Sequence, residues 1–150
     1  MTHYIPEGSH SVNSYITVAS ADQAIAWYKD ALDAKERSRL SMPDGGVMHA
    51  EIDVAGSLIM LSDASEEWGT QPPQELATYT LCVYVPNCDI LFHRCIEHGA
   101  EELQPLQDQF WGDRTGKVRD PFGVCWMFMT HVEDVSESEM QSRFAAMMNG

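Results

Sequence analysis

Two polar residues with a spacing typical of a reactive or metal-binding pair stand in the first half of the chain. His49 and Glu51 lie two positions apart in an alternating segment, so both side chains face the same side of a predicted strand. An imidazole beside a carboxylate could help to bind a metal ion or act as an acid and base pair. The two residues could equally form an ordinary solvent-facing pair, because the sequence offers no third metal ligand nearby.

A second dense group of functional residues surrounds a predicted turn in the second half. It contains Trp111, Asp113, Arg114 and Arg119. An aromatic ring beside both signs of charge could clamp a ligand or pack at a subunit interface. Alternatively, Asp113 caps the turn and both arginines pair with some of the many acids of the chain.

Other catalytic patterns are weak. His131 and Glu133 repeat the spacing of His49 and Glu51, but their place near a strand end favours a solvated pair. Cys82 or Cys125 could meet a histidine in space, although a buried and inert thiol is the favoured interpretation for both. The sequence contains no Gly-x-Ser-x-Gly, phosphate-binding loop or His-Glu-x-x-His motif.

The composition limits the possible partners. The 150 residues carry a net charge of −14, which argues against binding to nucleic acid or an anionic membrane, suits a cationic ligand, and could also serve solubility alone. No apolar run reaches the roughly 18 residues that span a bilayer. No signal peptide is evident, so we expect a cytoplasmic protein whose four cysteines, none in a Cys-x-x-Cys pair, are reduced.

An internal repeat would position the candidate residues. Asp53 and Gly56 recur 67 positions later as Asp120 and Gly123, each time in a turn before an apolar strand. The same order of one strand, one helix and three strands occurs in both halves. The sequence therefore predicts an α+β fold of two βαβββ modules within a single domain, residues 1–150. The predicted divisions are module one at about 11–64, a linker at 65–77, module two at about 78–131 and a C-terminal helix at 136–148.

Alternation, caps and turn residues predict the individual elements. In module one the predicted strands are 11–18, 35–42, 47–54 and 57–62, with a helix from the Ser20 cap to about Ala34. In module two they are 78–85, 101–110, 112–119 and 124–131, with a helix between the Asn87 cap and Gly99. The C-terminal helix begins after Ser136 and carries an apolar stripe that would dock on its own domain or on a partner subunit.

Several motifs resemble those of one known superfamily. They are Met48-His49-Ala50-Glu51, Met60-Leu61-Ser62-Asp63, Phe110-Trp111-Gly112-Asp113-Arg114, Asp120-Pro121-Phe122-Gly123 and Thr130-His131-Val132-Glu133-Asp134-Val135. Together with the paired modules, they resemble the vicinal-oxygen-chelate superfamily of glyoxalases, bleomycin-resistance proteins and extradiol dioxygenases. Within it, they are similar to the PhnB-like branch. The resemblance covers about residues 10–140.

The resemblance implies a cleft shared by the two modules, in which enzymes of the superfamily usually bind a divalent metal. Its ligands are His or Glu on the first and last strands of each module. The corresponding positions here are Asn13, Met60, Thr80 and Met127. An amide, a hydroxyl and two thioethers do not make a site for zinc, nickel, magnesium or ferrous iron. We therefore expect no metal and no other cofactor.

Strand alternation then predicts the cleft lining. The neighbours two positions away are Tyr15, Thr17, Leu58, Ser62, Cys82, Tyr84, Cys125 and Met129. Such an apolar, methionine-rich cleft suits a hydrophobic ligand of irregular shape, unless it is small and filled by its own side chains. The candidate ligand-binding residues are Asn13, Tyr15, His49, Glu51, Met60, Ser62, Thr80, Tyr84, Trp111, Arg114, Met127 and Met129.

These inferences predict a cytoplasmic, PhnB-like, metal-independent protein that binds an apolar or cationic small molecule in its cleft. As in many members of the superfamily, it would be a homodimer. One alternative is a metal-dependent lyase, isomerase or dioxygenase of glyoxalase type, with unorthodox ligands such as His49 and Glu51. Another is a non-catalytic scaffold with a filled cleft.

Overall fold

A computed structural model of the chain, which describes residues 2–150, contains two four-stranded sheets with helices packed between them. The strands are β1 (Ser14–Val18), β2 (Lys35–Ser41), β3 (Val47–Val54), β4 (Ser57–Asp63), β5 (Leu81–Tyr84), β6 (Glu101–Asp108), β7 (Asp113–Arg119) and β8 (Cys125–His131), and the helices are α1 (Ala21–Leu32), α2 (Cys88–Glu97) and α3 (Glu137–Met148). The strand orders are β1-β4-β3-β2 and β5-β8-β7-β6. The predicted α+β class with two βαβββ modules and a C-terminal helix is confirmed.

Strand pairing shows the internal repeat directly. In each module the first strand pairs in parallel with the last, and the other strand neighbours are antiparallel. Ser14 pairs with Ile59 in the first sheet, and Leu81 pairs with Trp126 in the second. Both members of the second pair lie 67 positions after those of the first, so the two sheets share one register.

The helix N-termini repeat in the same way. The carboxylate of Asp63 accepts a hydrogen bond from the Ala21 N–H at 2.7 Å, at the start of α1. The hydroxyl of Thr130, 67 positions on, accepts one from the Cys88 N–H at 2.9 Å, at the start of α2. Each last strand therefore caps the helix of its own module and satisfies a donor that helix geometry leaves unpaired.

Sequence-predicted helix caps are present. Ser20 accepts from the Gln23 N–H, Asn87 from the Asp89 N–H and Ser136 from the Glu139 N–H. Helix α2 ends just before Gly99, whose φ of 97° lets the chain turn back at low steric cost. Local chemistry thus places the helix boundaries.

Both predicted first strands were too long. Strand β1 begins at Ser14 because the Asn13 side chain accepts from the His10 N–H at 2.9 Å and donates to the His10 carbonyl at 2.6 Å, which closes a turn. Strand β5 begins at Leu81 because its ladder with β8 starts at Trp126, just beyond the Asp120 turn. Asn13 and Thr80, predicted on strands, therefore lie one residue outside them. The predicted linker also contains a single 3-10 turn, Glu66–Trp68.

One contiguous core lies on the helix-facing side of both sheets. Helices α1 and α2 contact each other there, so the modules pack through their helices. The largest fully buried side chains include Tyr28, Ile52 and Leu61 from module one and Val118, Trp126 and Phe128 from module two. None of the helices in residues 2–150 is long and apolar enough to cross a lipid bilayer.

The face of each sheet that points away from the helices is called its open face. Strand alternation assigns the residues, because Ile16, Leu61 and Val118 face the core and their neighbours face the other way. The open face of the first sheet presents Tyr15, Thr17, His49, Glu51, Leu58, Met60 and Ser62. The open face of the second sheet presents Cys82, Tyr84, Asp113, Thr115, Lys117, Arg119, Cys125, Met127, Met129 and His131.

Candidate functional site

Most of the sequence-predicted ligand contacts lie on the two open faces. Eight of the twelve do so, namely Tyr15, His49, Glu51, Met60, Ser62, Tyr84, Met127 and Met129. Trp111 lies in the turn before β7, and Arg114 faces helix α2 instead. Arg114 donates to Asp89 at 2.7 and 3.1 Å and to Asp108 at 3.2 Å, so acids of its own module already pair its charge. This matches the second of the two interpretations given for it.

His49 and Glu51 lie in a row of polar side chains across the open face of the first sheet, each with a hydrogen-bond partner of its own. The Tyr15 hydroxyl lies 3.1 Å from His49 Nδ1, and His49 Nε2 lies 3.7 Å from the Glu51 carboxylate. The Ser38 hydroxyl donates to Glu51 at 3.1 Å. Both side chains are about one-third exposed, at 35% and 31%. The pair is therefore neither free in solvent nor turned towards further metal ligands.

A cavity of about 350 Å³ adjoins this row and is called the first-module pocket. Tyr15, Thr17 and Ser62 of the open face line one side of it. The remaining lining includes Met42, Met48 and Trp68 and the acidic residues Asp44 and Glu67. Sequence reasoning missed all five: it assigned Glu67 and Trp68 to a plain linker at 65–77, and it placed Met42, Asp44 and Met48 in or beside a hairpin turn rather than in the lining of a site. A tryptophan beside two glutamates in a segment without core periodicity was the signal available.

The three acidic side chains that line this pocket differ in how freely they could interact with a ligand. Asp63 also lines the pocket, but its carboxylate accepts hydrogen bonds from the Ala21 N–H at 2.7 Å and the Val47 N–H at 3.0 Å. Backbone donors therefore already occupy both of its oxygens. The Asp44 carboxylate accepts from the Gly46 N–H at 2.8 Å. Within residues 2–150, Glu67 makes no side-chain hydrogen bond or ion pair, so its charge is free to meet a ligand.

A buried carboxylate organises the open face of the second sheet near the C-terminal end of β8. Asp113 is only 3% exposed and accepts from the Tyr84 hydroxyl at 2.7 Å and the Trp111 Nε1–H at 3.0 Å. His131 Nδ1 lies 2.8 Å from the same carboxylate, and its Nε2 lies 2.7 Å from Asp134. These five residues form the Asp113 cluster, which borders a shallow cavity of about 520 Å³.

Hydrogen bonding determines the protonation states in the Asp113 cluster. Burial alone would raise the pKa of Asp113, but the bonds from His131, Tyr84 and Trp111 together hold that pKa below its usual value. The Asp134 and Asp113 carboxylates raise the pKa of His131. The Asp113 carboxylate likewise raises the pKa of Tyr84. The cluster therefore contains an ionised Asp113, a neutral Tyr84 and a readily protonated His131.

The prediction that His131 and Glu133 form a solvated pair was wrong. His131 bridges Asp113 and Asp134, whereas Glu133 pairs with Arg143 of α3 at 2.7 Å. Strand β8 ends at His131, so Glu133 lies outside the strand and its carboxylate does not share the face of the His131 ring. The pairing of Glu133 with Arg143 fastens the C-terminal helix to its own module, and the Phe110 and Phe144 rings add a contact with centroids 5.5 Å apart.

The four cysteines differ in their exposure to solvent. Cys88, Cys95 and Cys125 are buried, and burial raises the pKa of Cys95 to about 12, so that thiol is inert. The favoured interpretation of a buried thiol is thus confirmed for Cys125. It was wrong for Cys82, which lies exposed on the open face of the second sheet, because β5 is the edge strand.

The His131 interactions predict a pH-dependent part of the stability. The folded pKa of His131 lies above the value of about 6.5 for an unfolded imidazole. Its protonated form therefore stabilises the folded state fully below that pH, and this contribution is lost as the pH rises through the folded pKa. We expect the wild type to be more stable than a His131→Gln variant at about pH 5.5. This difference in the free energy of unfolding should decrease as the pH rises to about 8.5.

Urea denaturation at both pH values and equal ionic strength measures this difference. A Val12→Ala variant, altered at an exposed side chain without a titratable group, is the control and should keep the pH dependence of the wild type. An equal stability difference between wild type and His131→Gln at both pH values would contradict the expectation.

The residues at the four superfamily metal positions do not fit a divalent metal. Asn13 is committed to the His10 backbone, Thr80 stands before β5, and Met60 and Met127 offer only thioethers. Within residues 2–150, no group of three or more His, Cys, Asp or Glu side chains is arranged to hold a metal ion. We therefore derive no chemical step through a metal at these positions.

Comparison with known proteins agrees with this architecture. The family model of the Glyoxalase/Bleomycin resistance protein/Dioxygenase superfamily matches residues 8–128. The chain is 32% identical over 145 residues to protein Rv0887c of Mycobacterium tuberculosis, an alignment that covers 93% of this chain and 85% of that protein.

Solved structures show the same fold. TioX from Micromonospora sp. ML1 is 27% identical, with a TM-score of 0.65 over 81% of this chain and 100% of that one. A PhnB protein from Bacillus cereus is 19% identical, with a TM-score of 0.66 over 81% of this chain and 99% of that one, a likeness that shows the fold alone. The family match spans both modules, so the chain belongs to the glyoxalase/bleomycin resistance protein/dioxygenase superfamily.

Proposed function

We propose that this protein is a cytoplasmic, PhnB-like member of the superfamily that binds a small apolar cation without a metal and without covalent chemistry. The first-module pocket carries the proposal, because it combines an open volume of about 350 Å³ with an aromatic, methionine-rich lining. A cavity of that size is within the range of ligand sites in proteins. The lining of the pocket comes only from residues between Tyr15 and Thr70, so it belongs to the first half of the chain and not to the cleft shared by the two modules that the resemblance implied.

The pocket lining supports the proposed ligand class. Trp68 and Tyr15 are 64% and 47% exposed, so both rings are available to a ligand. Aromatic faces attract cations, an interaction of about 0.5 to 2 kcal/mol depending on exposure. Met42 and Met48 add a polarizable, adaptable surface for the apolar part of the ligand. Glu67 supplies a negative charge that no group in residues 2–150 neutralises.

The whole-chain charge supports the same ligand class. At −14, the protein attracts cations towards its surface and repels anionic polymers. The four cysteines are all free thiols, as suits the reducing environment of the cytoplasm. The PhnB-like assignment depends on the five sequence motifs at residues 48–51, 60–63, 110–114, 120–123 and 130–135. We further propose a homodimer, in which a second copy covers exposed rings of the open faces such as Tyr84.

The binding proposal predicts a selective loss of affinity. With benzyltrimethylammonium as the probe and benzyl alcohol as its uncharged counterpart, we expect the wild type to bind the cation more tightly. Trp68→Ala should weaken binding of the cation about 5- to 20-fold through loss of the ring face. Glu67→Gln should weaken binding of the cation and leave benzyl alcohol unaffected, because only the charge of the pocket changes.

Thermal shift followed by isothermal titration calorimetry measures these affinities. Tyr4→Ala is the matched control, since this ring is 86% exposed in the N-terminal arm and lies outside the pocket lining. Equal affinities of wild type and Trp68→Ala, or no preference for the cation over benzyl alcohol, would overturn the proposal.

A further inference from the structure

We infer that the ligand of the first-module pocket is an elongated organic cation whose uncharged end lies in a second cavity, covered by residues 71–79. This second cavity has a volume of about 220 Å³ and is called the inter-module cavity. The inference rests on the proposed function, because the cationic end of the ligand occupies the first-module pocket. It adds the length of the ligand, the chemistry of its second end and the place where that end binds.

The two cavities share a boundary. Thr17 of β1 lines both of them. Thr70 lines the first-module pocket, and the next residue, Gln71, lines the inter-module cavity. The Thr17 hydroxyl donates to the Gln71 carbonyl at 3.2 Å, a long distance for a bond between two oxygens. A ligand that extends past Thr17 therefore passes from one cavity directly into the other.

The inter-module cavity lies where the two sheets approach each other. Thr17 belongs to the open face of the first sheet and Cys125 to that of the second, and both residues line the cavity. Pro73 covers the side of the Asp120 turn, since a Cβ added at Gly123 would lie only 2.9 Å from Pro73 Cβ. The combined site thus extends from module one to module two.

Residues 71–79 are held over this cavity at few points. Within residues 2–150, they form no hydrogen bond between backbone groups. Pro72 and Pro73 hold φ at about −65°, so the segment keeps a defined course without such bonds. Segments with few backbone hydrogen bonds open more easily than the core, so these residues can shift to admit a ligand.

The lining specifies an uncharged end for the ligand. None of the twelve described residues around the inter-module cavity carries a formal charge, although 21% of the residues in the chain do. Tyr79, which is 48% exposed, and Leu76 offer apolar surface, and Gln71 and Gln74 offer amide groups. A cavity of about 150 Å³ in a protein core holds a benzene ring. The inter-module cavity therefore has room for a ring or a short alkyl chain.

Two quaternary ammonium probes test this inference on the full-length protein. Benzyltrimethylammonium is the short probe, and benzyldimethyl(phenylhexyl)ammonium keeps its head and adds a phenyl ring on a hexyl chain. We expect the long probe to bind the wild type about tenfold more tightly in isothermal titration calorimetry, because its tail is buried in the inter-module cavity. Ala77→Phe places a ring in that cavity, so this variant should bind the two probes with nearly equal affinity.

A matched control and a second measurement locate the tail. Ala146→Phe adds the same ring at an exposed position of α3, outside both linings, and should keep the tenfold difference. In ¹⁵N NMR spectra of the wild type, the Trp68 amide should shift with both probes. The Ala77 and Tyr79 amides should shift with the long probe only.

The outcomes separate this inference from the proposed function. If the short probe binds and the long probe binds no better, the inference is overturned and the proposed function stands. A gain that persists in Ala77→Phe, without shifts at Ala77 and Tyr79, would place the tail elsewhere and overturn the inference as well. If neither probe binds the wild type, the proposed function fails, and the inference fails with it.

Discussion

Replacing Asp120 by alanine should lower the free energy of unfolding by about 3 to 5 kcal/mol, the range seen when one partner of a buried charged network is removed. Asp120 is 3% exposed and its carboxylate accepts four hydrogen bonds. Oδ2 accepts from the Tyr28 hydroxyl at 2.6 Å and the Trp126 Nε1–H at 2.9 Å. Oδ1 accepts from the backbone N–H groups of Phe122 and Val124, at 2.9 and 3.0 Å.

This residue joins the two modules. Tyr28 comes from α1 of module one, whereas the other three donors belong to module two. Burial raises the pKa of Tyr28 well above its ordinary value, and the nearby Asp120 carboxylate raises it further, so the phenol remains a donor. Removal of the carboxylate therefore leaves two buried side-chain donors and two backbone donors unpaired at the module contact.

The repeat supplies a matched control for this experiment. Asp53 occupies the same turn 67 positions earlier, but it accepts one hydrogen bond, from the Gly56 N–H at 2.9 Å. Asp53→Ala should therefore cost only about 1 kcal/mol. Tyr28→Phe, which keeps the ring and removes one donor to a charged group, should cost about 1.5 to 3 kcal/mol. Urea denaturation measures all three, and equal losses for Asp120→Ala and Asp53→Ala would disprove the expected role.

Replacing Gly112 by alanine should lower the free energy of unfolding by about 3 kcal/mol, since it combines backbone strain with overpacking. Gly112 has a φ of 102°, a backbone conformation that residues other than glycine rarely adopt. An added Cβ would collide with the carbonyl oxygen of Glu133 and would lie 3.1 Å from Val135 Cγ2. The Gly112 carbonyl accepts from the N–H groups of Val132 and Glu133, so the two segments cannot easily separate.

A second glycine separates the two causes. Gly45 has a similar φ of 91°, but an added Cβ there would meet no atom within 4 Å. Gly45→Ala should therefore show strain alone, about 1 to 2 kcal/mol. Chemical denaturation provides both values. Equal losses for the two variants would show that the contact with Glu133 contributes nothing.

The fold was predictable because its signals are local. The Asp53 and Asp120 turns, the Ser20 and Asn87 caps and the alternation in β3 each depend on residues a few positions apart. Strand β3 has the predicted bounds, Val47–Val54. The first strands were overextended because an alternating pattern does not show where the partner strand begins. Asn13 and Thr80 were therefore placed on strands that start one residue later.

The candidate sites depended on distant residues and were only partly predictable. Tyr84 and Asp113 are 29 positions apart, and His131 reaches the same carboxylate from a third strand. Sequence spacing showed that each residue occupies an open face, but it did not show which partners they meet. Trp68 lines the first-module pocket from a segment without periodicity, where its place beside two glutamates was the signal available.

The sequence by itself determined the module order, the turns and the donor types at the superfamily metal positions, since covalent neighbours and side-chain chemistry define these. The tertiary structure alone decided that Asp120 joins the modules and that Asp113 is buried under Tyr84 and Trp111. Burial and hydrogen bonding arise from the packing of segments far apart in the chain. No local pattern encodes which polar groups meet there and which of them become hydrogen-bonded.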